Sequence, residues 1–116
     1  QQIALATDDL FAFVERATKA GVEFLAIPDN YYDDLAARFD LDAEVIERMR
    51  KLNILYDRNK TGEFFHIYTR MFEQRFFFEI LQRRQYDLFG AANTPVRLAA
   101  QAVEQDQLAR QRGQME

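Results

Sequence analysis

The stretch that decides the fold reads Phe64-Phe65-His66-Ile67-Tyr68-Thr69-Arg70, then Met71 to Arg75 as a connector, then Phe76-Phe77-Phe78-Glu79-Ile80-Leu81-Gln82-Arg83. Both outer runs are aromatic and β-branched, a composition that fits a pleated, partly buried surface, so each is predicted as a strand. Side chains alternate along a strand. His66 therefore shares a face with Phe64 and Tyr68, while Phe65 and Ile67 look the other way. In the second run Phe77, Glu79 and Leu81 share a face, and Phe78 and Ile80 take the other.

Working outward, Ile54-Leu55-Tyr56-Asp57 is a third strand candidate. It is joined to Phe64 by the polar turn Arg58-Asn59-Lys60-Thr61-Gly62-Glu63, with Gly62 expected where φ is positive. Tyr31 to Asn53 repeats apolar residues at helical spacing in two pieces, Tyr32-Leu35-Ala36-Phe39 and Val45-Ile46-Met49-Leu52, the second capped by Asp40 or Asp42. Near the N-terminus, Gln2 to Thr7 alternates as a strand. Leu10, Phe13, Val14 and Ala17 form a helix started by Asp8 or Asp9 and ended at Gly21. Val22-Glu23-Phe24-Leu25-Ala26-Ile27, stopped by Pro28, is predicted as one more strand. Val96 to Arg112 carries a weak apolar stripe and is a terminal helix. The order predicts an α+β fold with a mostly antiparallel sheet.

Composition bounds the function. At 116 residues the chain has room for one domain, and 48% hydrophobic with 29% charged residues is a globular balance. No apolar run reaches membrane-spanning length, so no membrane role is expected. A net charge of -4 argues against nucleic acid as a partner. The absence of cysteine excludes disulfides, thiolate metal sites and a cysteine nucleophile, and fits a cytoplasmic setting. The opening Gln1-Gln2-Ile3-Ala4-Leu5 has no targeting pattern and reads as a piece of a longer polypeptide.

Few side chains invite chemistry. His66, the single histidine, reads either as a substrate or metal contact or as a satisfied core residue. Glu79 lies in so apolar a run that it needs a partner, which makes it a candidate metal ligand or base unless it faces solvent. The pairs Asp8-Asp9, Asp33-Asp34 and Asp40 with Asp42 are expected at helix starts, where carboxylates complement the dipole. Arg75, Arg83, Arg84 and Arg97 are expected to be solvated or ion-paired, and Tyr31-Tyr32 to pack in the core.

Taken together, Gln2 to Asp9, Ile27 to Leu35, Ile54 to Arg58, Glu63 to Arg70 and Arg75 to Arg84 resemble the last part of the 4-hydroxyphenylpyruvate dioxygenase family, within the vicinal oxygen chelate superfamily. The ending Gly90-Ala91-Ala92-Asn93-Thr94-Pro95-Val96-Arg97-Leu98-Ala99-Ala100-Gln101 points to one variant. That variant is the dioxygenase-like C-terminal half of bacterial 3-dehydroshikimate dehydratase fusions with a sugar-phosphate-isomerase-like first half.

The resemblance implies a βαβββ module over residues 1–93, with a helical insertion at 31–53, followed by a C-terminal helix and tail at 94–116. It implies an Fe(II) site held by two histidines and a glutamate, with Mg or Mn as alternatives for an oxygen-rich version. Glu79 would be the glutamate ligand. Gln2 stands at the position of one family histidine, and the other belongs to a preceding module. His66, Asn93 and Phe78 would line the substrate cup.

Three functions are therefore expected. The first is the metal-site module of an Fe(II)-dependent dioxygenase acting on an aromatic 2-oxo acid, incomplete as this chain alone. The second is a structural or regulatory domain of a bifunctional 3-dehydroshikimate dehydratase. The third is a metal-free small-molecule binding protein that uses the aromatic cup of Phe64, Phe76, Phe78 and Tyr68, a kind of pocket that takes apolar ligands. The small-molecule partner implied by the resemblance is a 2-oxo acid or a related aromatic or shikimate-pathway acid. The expected macromolecular partner is the missing upstream module or a second copy covering the open sheet edge.

Overall fold

The computed structural model describes residues 1–73, 75–86 and 91–115. Gln74 of the connector, residues 87–90 with Gly90 of the resemblance, and Glu116 of the tail lie outside the described residues. The elements run β1 (Gln2–Ala6), α1 (Leu10–Lys19), α2 (Asp29–Arg38), α3 (Ala43–Leu52), β2 (Leu55–Arg58), β3 (Glu63–Tyr68), β4 (Phe77–Arg84), a 3-10 turn (Ala91–Asn93) and α4 (Thr94–Met115). The strands form one sheet in the order β1-β4-β3-β2. β1 runs parallel to β4, whereas β4–β3 and β3–β2 are antiparallel. The class is α+β, as expected.

Local chemistry sets the element ends. The Asp9 carboxylate accepts from the Ala12 amide at 3.2 Å and starts α1, and Gly21, at φ 97°, follows the helix in the left-handed region. Asp42 caps α3 through the Glu44 amide at 2.9 Å. At the other end of α3 Asn53 adopts φ 61°, and its side-chain oxygen receives the Ile27 amide at 3.1 Å. Gly62 departs from expectation. Its φ is not positive; a Cβ there would run into the Arg84 carbonyl oxygen, so close approach to the end of β4 requires the glycine.

Val22 to Ile27 forms no strand. Only the bridge Phe24↔Thr69 pairs it with the sheet, backed by the Leu25 amide on the Tyr68 carbonyl at 2.8 Å. β2 pairs with β3 only as far as His66, so this apolar run fills the edge just beyond β2 and buries Leu25 and Ile27 there. The described sheet thus has four strands, the number in βαβββ, rather than five. Asp33 and Asp34 correct a second expectation. They sit in the middle of α2 on its exposed face, paired with Arg50 at 3.0 Å and Arg38 at 3.1 Å.

The sheet divides the core. On one face α1 packs over Phe65, Ile80 and Gln82: the Phe11 and Phe65 rings meet edge-on at 5.5 Å, and the Leu10 amide donates to Gln82 at 2.9 Å. Leu10, Val14, Tyr32, Leu35, Met49, Ile54 and Ile67 have no exposed surface. Each contributes roughly 1.5–3 kcal/mol by leaving water. The other face, carrying Phe64, His66, Tyr68, Phe77, Glu79 and Leu81, is covered by the start of α4.

Candidate functional site

β1 and β4 run parallel with Gln2 opposite Phe77 and Ala4 opposite Glu79, which places the Gln2 and Glu79 side chains on one face. The Gln2 amide nitrogen donates to Glu79 Oε1 at 2.7 Å. On the neighbouring strand Tyr68 stands opposite Glu79, and His66 follows one pleat away. His66 Nδ1 meets Glu79 Oε2 at 2.9 Å, and the imidazole is wholly buried. Glu79 is thus engaged through both oxygens.

Asn93 fixes the proton pattern. Its amide nitrogen donates to the Tyr56 carbonyl oxygen at 3.0 Å, an atom that can only accept, and lies 2.8 Å from His66 Nε2. The second amide hydrogen therefore goes to Nε2, which must be the accepting nitrogen, and Nδ1 carries the hydrogen that Glu79 receives. The Asn93 oxygen in turn accepts from the Tyr31 hydroxyl at 3.0 Å, and that hydroxyl receives the Tyr56 amide at 2.9 Å. One chain of hydrogen bonds, buried from Glu79 inward, runs from Gln2 through Glu79, His66 and Asn93 to α2.

Above Glu79 lies an open concavity of about 540 Å³, floored by Ala4, Ala6 and Leu81 and rimmed by Gln2, Tyr68, Arg83, Thr94 and Arg97. The Arg97 guanidinium rests over the Phe77 and Tyr68 rings at 5.2 and 5.7 Å. Arg83 lies over Phe64 at 5.3 Å, and Arg84 over Phe65 at 5.5 Å on the other face. Burial, then the charge of Glu79, raises the Tyr68 hydroxyl well above the ordinary tyrosine range, so it stays protonated.

The structure brings Gln2, Glu79, His66 and Asn93 together and leaves Phe78 out. Phe78 points to the opposite face of β4, into an apolar recess with Leu5, Phe13, Phe72 and Ile80. The aromatic cup of Phe64, Phe76, Phe78 and Tyr68 is likewise divided, because Phe76 stacks on Phe72 at 5.4 Å and meets Phe78. Tyr31 packs in the core as the sequence predicted, but its place in this network, and that of Arg97 at the rim, were not foreseen. The alternation of β3 already put Tyr68 beside His66, but nothing local announced that α2 and α4 would close on the same face.

The chain is 59% identical over 102 residues to a 3-dehydroshikimate dehydratase from Pseudomonas aeruginosa, covering 86% of the chain and 16% of that protein. It is 36% identical over 112 residues to a 4-hydroxyphenylpyruvate dioxygenase from the same organism, covering 95% of the chain and 31% of the dioxygenase. Among solved structures, a xylose isomerase-like TIM barrel/4-hydroxyphenylpyruvate dioxygenase fusion protein superposes with a TM-score of 0.85 at 57% identity, over 88% of this chain and 17% of that one. A mutant 4-hydroxymandelate synthase from Streptomyces coelicolor gives 0.76 at 34% identity, over 92% and 30%. No family model matches. The chain is a 4-hydroxyphenylpyruvate dioxygenase-like module.

This dioxygenase-like module corresponds to the C-terminal region of the dehydratase fusions and spans only a minor share of each relative. Its residues do not by themselves fit an Fe(II) site. Among the described residues no group of three His, Cys, Asp or Glu side chains is placed to hold a metal ion. Glu79 has both oxygens in hydrogen bonds, and the second nitrogen of His66 is turned to Asn93. An amide and one carboxylate fall short of the two imidazoles and one carboxylate of a facial triad. Among the described residues no helix is long and apolar enough to cross a membrane.

Proposed function

We propose that this chain is the C-terminal, dioxygenase-like unit of a two-part dehydratase, where it binds and supports without a metal while dehydration is carried out upstream. The observation behind this reading is the engagement of both Glu79 oxygens by Gln2 and His66. A buried carboxylate that accepts from an amide and an imidazole, the imidazole itself held by Asn93, is a completed hydrogen-bond network. The upstream module is the natural cover for β1, whose five residues are all exposed. A cysteine-free chain suits a cytoplasmic setting.

The second reading is an Fe(II)-dependent oxygenase acting on an aromatic 2-oxo acid. It draws on the meeting of Gln2 and Glu79 at 2.7 Å, the two positions of this chain that the resemblance assigns to the metal. Elemental analysis separates the two. Both this chain and its longer parent are purified without chelator and then exposed to Fe(II) under anaerobic conditions. The first reading expects no stoichiometric metal in either. Stoichiometric iron in the parent, lost on Glu79→Ala and accompanied by oxygen uptake with 2-oxo acids, would replace it with the second.

A further inference from the structure

We infer that the groove beside α4 around Glu104 is a site for a small primary ammonium cation with an apolar body. The groove shares no lining residue with the concavity above Glu79, so the inference stands apart from the metal question.

The groove consists of two hollows, of about 380 and 570 Å³, that have Val22, Glu23, Arg70 and Glu104 in common. Glu104 reaches in from α4 and keeps only 5% of its surface exposed. Its Oε1 receives both the Arg70 Nε at 3.3 Å and the Met71 amide at 3.0 Å, whereas no hydrogen bond is made at Oε2. That oxygen is not sealed in, because among the described residues the one buried side-chain atom without a partner is the amide nitrogen of Gln101. A carboxylate oxygen can only accept, so a group that meets Oε2 must donate. An oxygen left open on so buried a carboxylate is a place for a donor from outside.

Charge makes that donor a cation. Arg70 is the only guanidinium lining the groove among the described residues, and it is divided between Glu104 and Glu23, whose Oε2 lies 2.9 Å from its Nη1. Two carboxylates thus face one guanidinium. Lys51 stands exposed at the rim without an ion pair among the described residues, so it leaves the inner balance as it is. The smaller hollow also meets the C-terminal ends of two helices, α1 through Thr18 and α3 through Lys51 and Leu52. At the end of α3 the Met49 carbonyl takes both the Asn53 and Ile54 amides, which leaves the later carbonyls outside the helical ladder. Both helix ends add partial negative charge, the sign that attracts an ammonium group. Val22, Phe24, Leu52 and Val103 offer an apolar wall for the rest of the ligand.

Butylammonium is the probe, with butanol as its uncharged counterpart and tetramethylammonium as a cation without N–H groups. Titrated at constant ionic strength into the isotopically labelled chain and followed by amide NMR, butylammonium should give saturable shifts centred on Val22, Glu23 and Glu104. Each control should bind about tenfold more weakly or worse. Glu104→Gln keeps an oxygen for Arg70 and Met71 but removes the charge, and should weaken butylammonium by a similar factor. Gln107→Lys, at an exposed position one turn beyond Glu104, supplies an ammonium group from the helix itself. It should abolish binding without lowering the melting temperature, which keeps the test decisive if Glu104→Gln unfolds. Equal affinity for butylammonium and butanol, shifts centred elsewhere, binding indifferent to Gln107→Lys, or no saturable shift overturns the inference. Binding that appears only in Lys51→Gln overturns it too, because Oε2 is then the partner of the chain's own lysine.

Discussion

His66 illustrates how one residue can be legible in type and illegible in role. The alternation of β3 put it beside Tyr68 and Phe64, and both ring contacts are present, at 5.3 and 4.5 Å. What spacing could not supply was Asn93, twenty-seven residues on, which accounts for Nε2 and so fixes the tautomer. The imidazole is the hinge of the buried chain. His66→Ala would leave one oxygen of Glu79 and the buried Asn93 amide short of partners, at a cost of about 2–4 kcal/mol. His66→Gln can bond to both neighbours and should lose less than half of that. Urea unfolding of the two variants beside the parent chain measures the difference, and equal losses would mean that packing volume, not hydrogen bonding, is what His66 supplies. Nitrogen NMR should find the hydrogen of the neutral ring on Nδ1 and none on Nε2; the opposite tautomer would contradict the Asn93 assignment.

At the scale of elements, α2 does a task that its apolar count understates. The Tyr31 hydroxyl receives the Tyr56 amide and shares its one hydrogen between the Asn93 oxygen and the Tyr56 carbonyl, each at 3.0 Å, while the Tyr32 hydroxyl donates to the Ile54 carbonyl at 3.0 Å. The helix thereby satisfies the outer edge of β2 with side chains where another strand would use backbone. Burial raises the hydroxyls of Tyr31, Tyr32, Tyr56 and Tyr68 alike above the ordinary tyrosine value of about 10, aided at Tyr56 by its bond to Glu63. The sign follows from linkage. Above pH 10 the unfolded chain loses phenolic protons that the folded chain keeps, so the stability these groups lend is complete below pH 10 and drains as pH rises further. Urea midpoints should be level between pH 8 and about 9.5 and fall steeply beyond, with tyrosinate absorbance from these four side chains appearing only on unfolding. Reversible ionisation near pH 10 in the folded state would show that α2 does not seal this edge. The elements themselves were largely legible, because caps such as Asp9, Asp42 and Gly21 are local chemistry. Val22 to Ile27 was not, since an apolar run packed at a sheet edge carries the same pattern as one laddered into it.

For the whole molecule the two sheet edges are treated differently, and that asymmetry makes the proposed upstream cover testable. β2 is closed by the tyrosines of α2, whereas β1 is exposed along its length, with Ile3 and Leu5 at 41% and 50% of full exposure. Surface of this kind on a terminal strand is uncommon in a free-standing domain, because unpaired amides and apolar side chains together template further pairing. Its register gives a residue-level test. The Thr7 amide donates to the Leu81 carbonyl, so alternation turns the amides of Leu5 and Ile3 inward as well and leaves those of Ala4 and Ala6 on the open side. In hydrogen exchange on this chain, Leu5 and Thr7 should be protected and Ala4 and Ala6 should exchange near the unfolded rate. In the longer parent, an upstream module laid against β1 should slow Ala4 and Ala6 by at least about a hundredfold while leaving Leu5 and Thr7 little changed. If protection of Ala4 and Ala6 instead rises with the concentration of this chain alone, a second copy is the cover. If it is absent in both proteins, β1 is an edge the molecule tolerates, and the upstream module must meet this one through α4 or the apolar recess around Phe78.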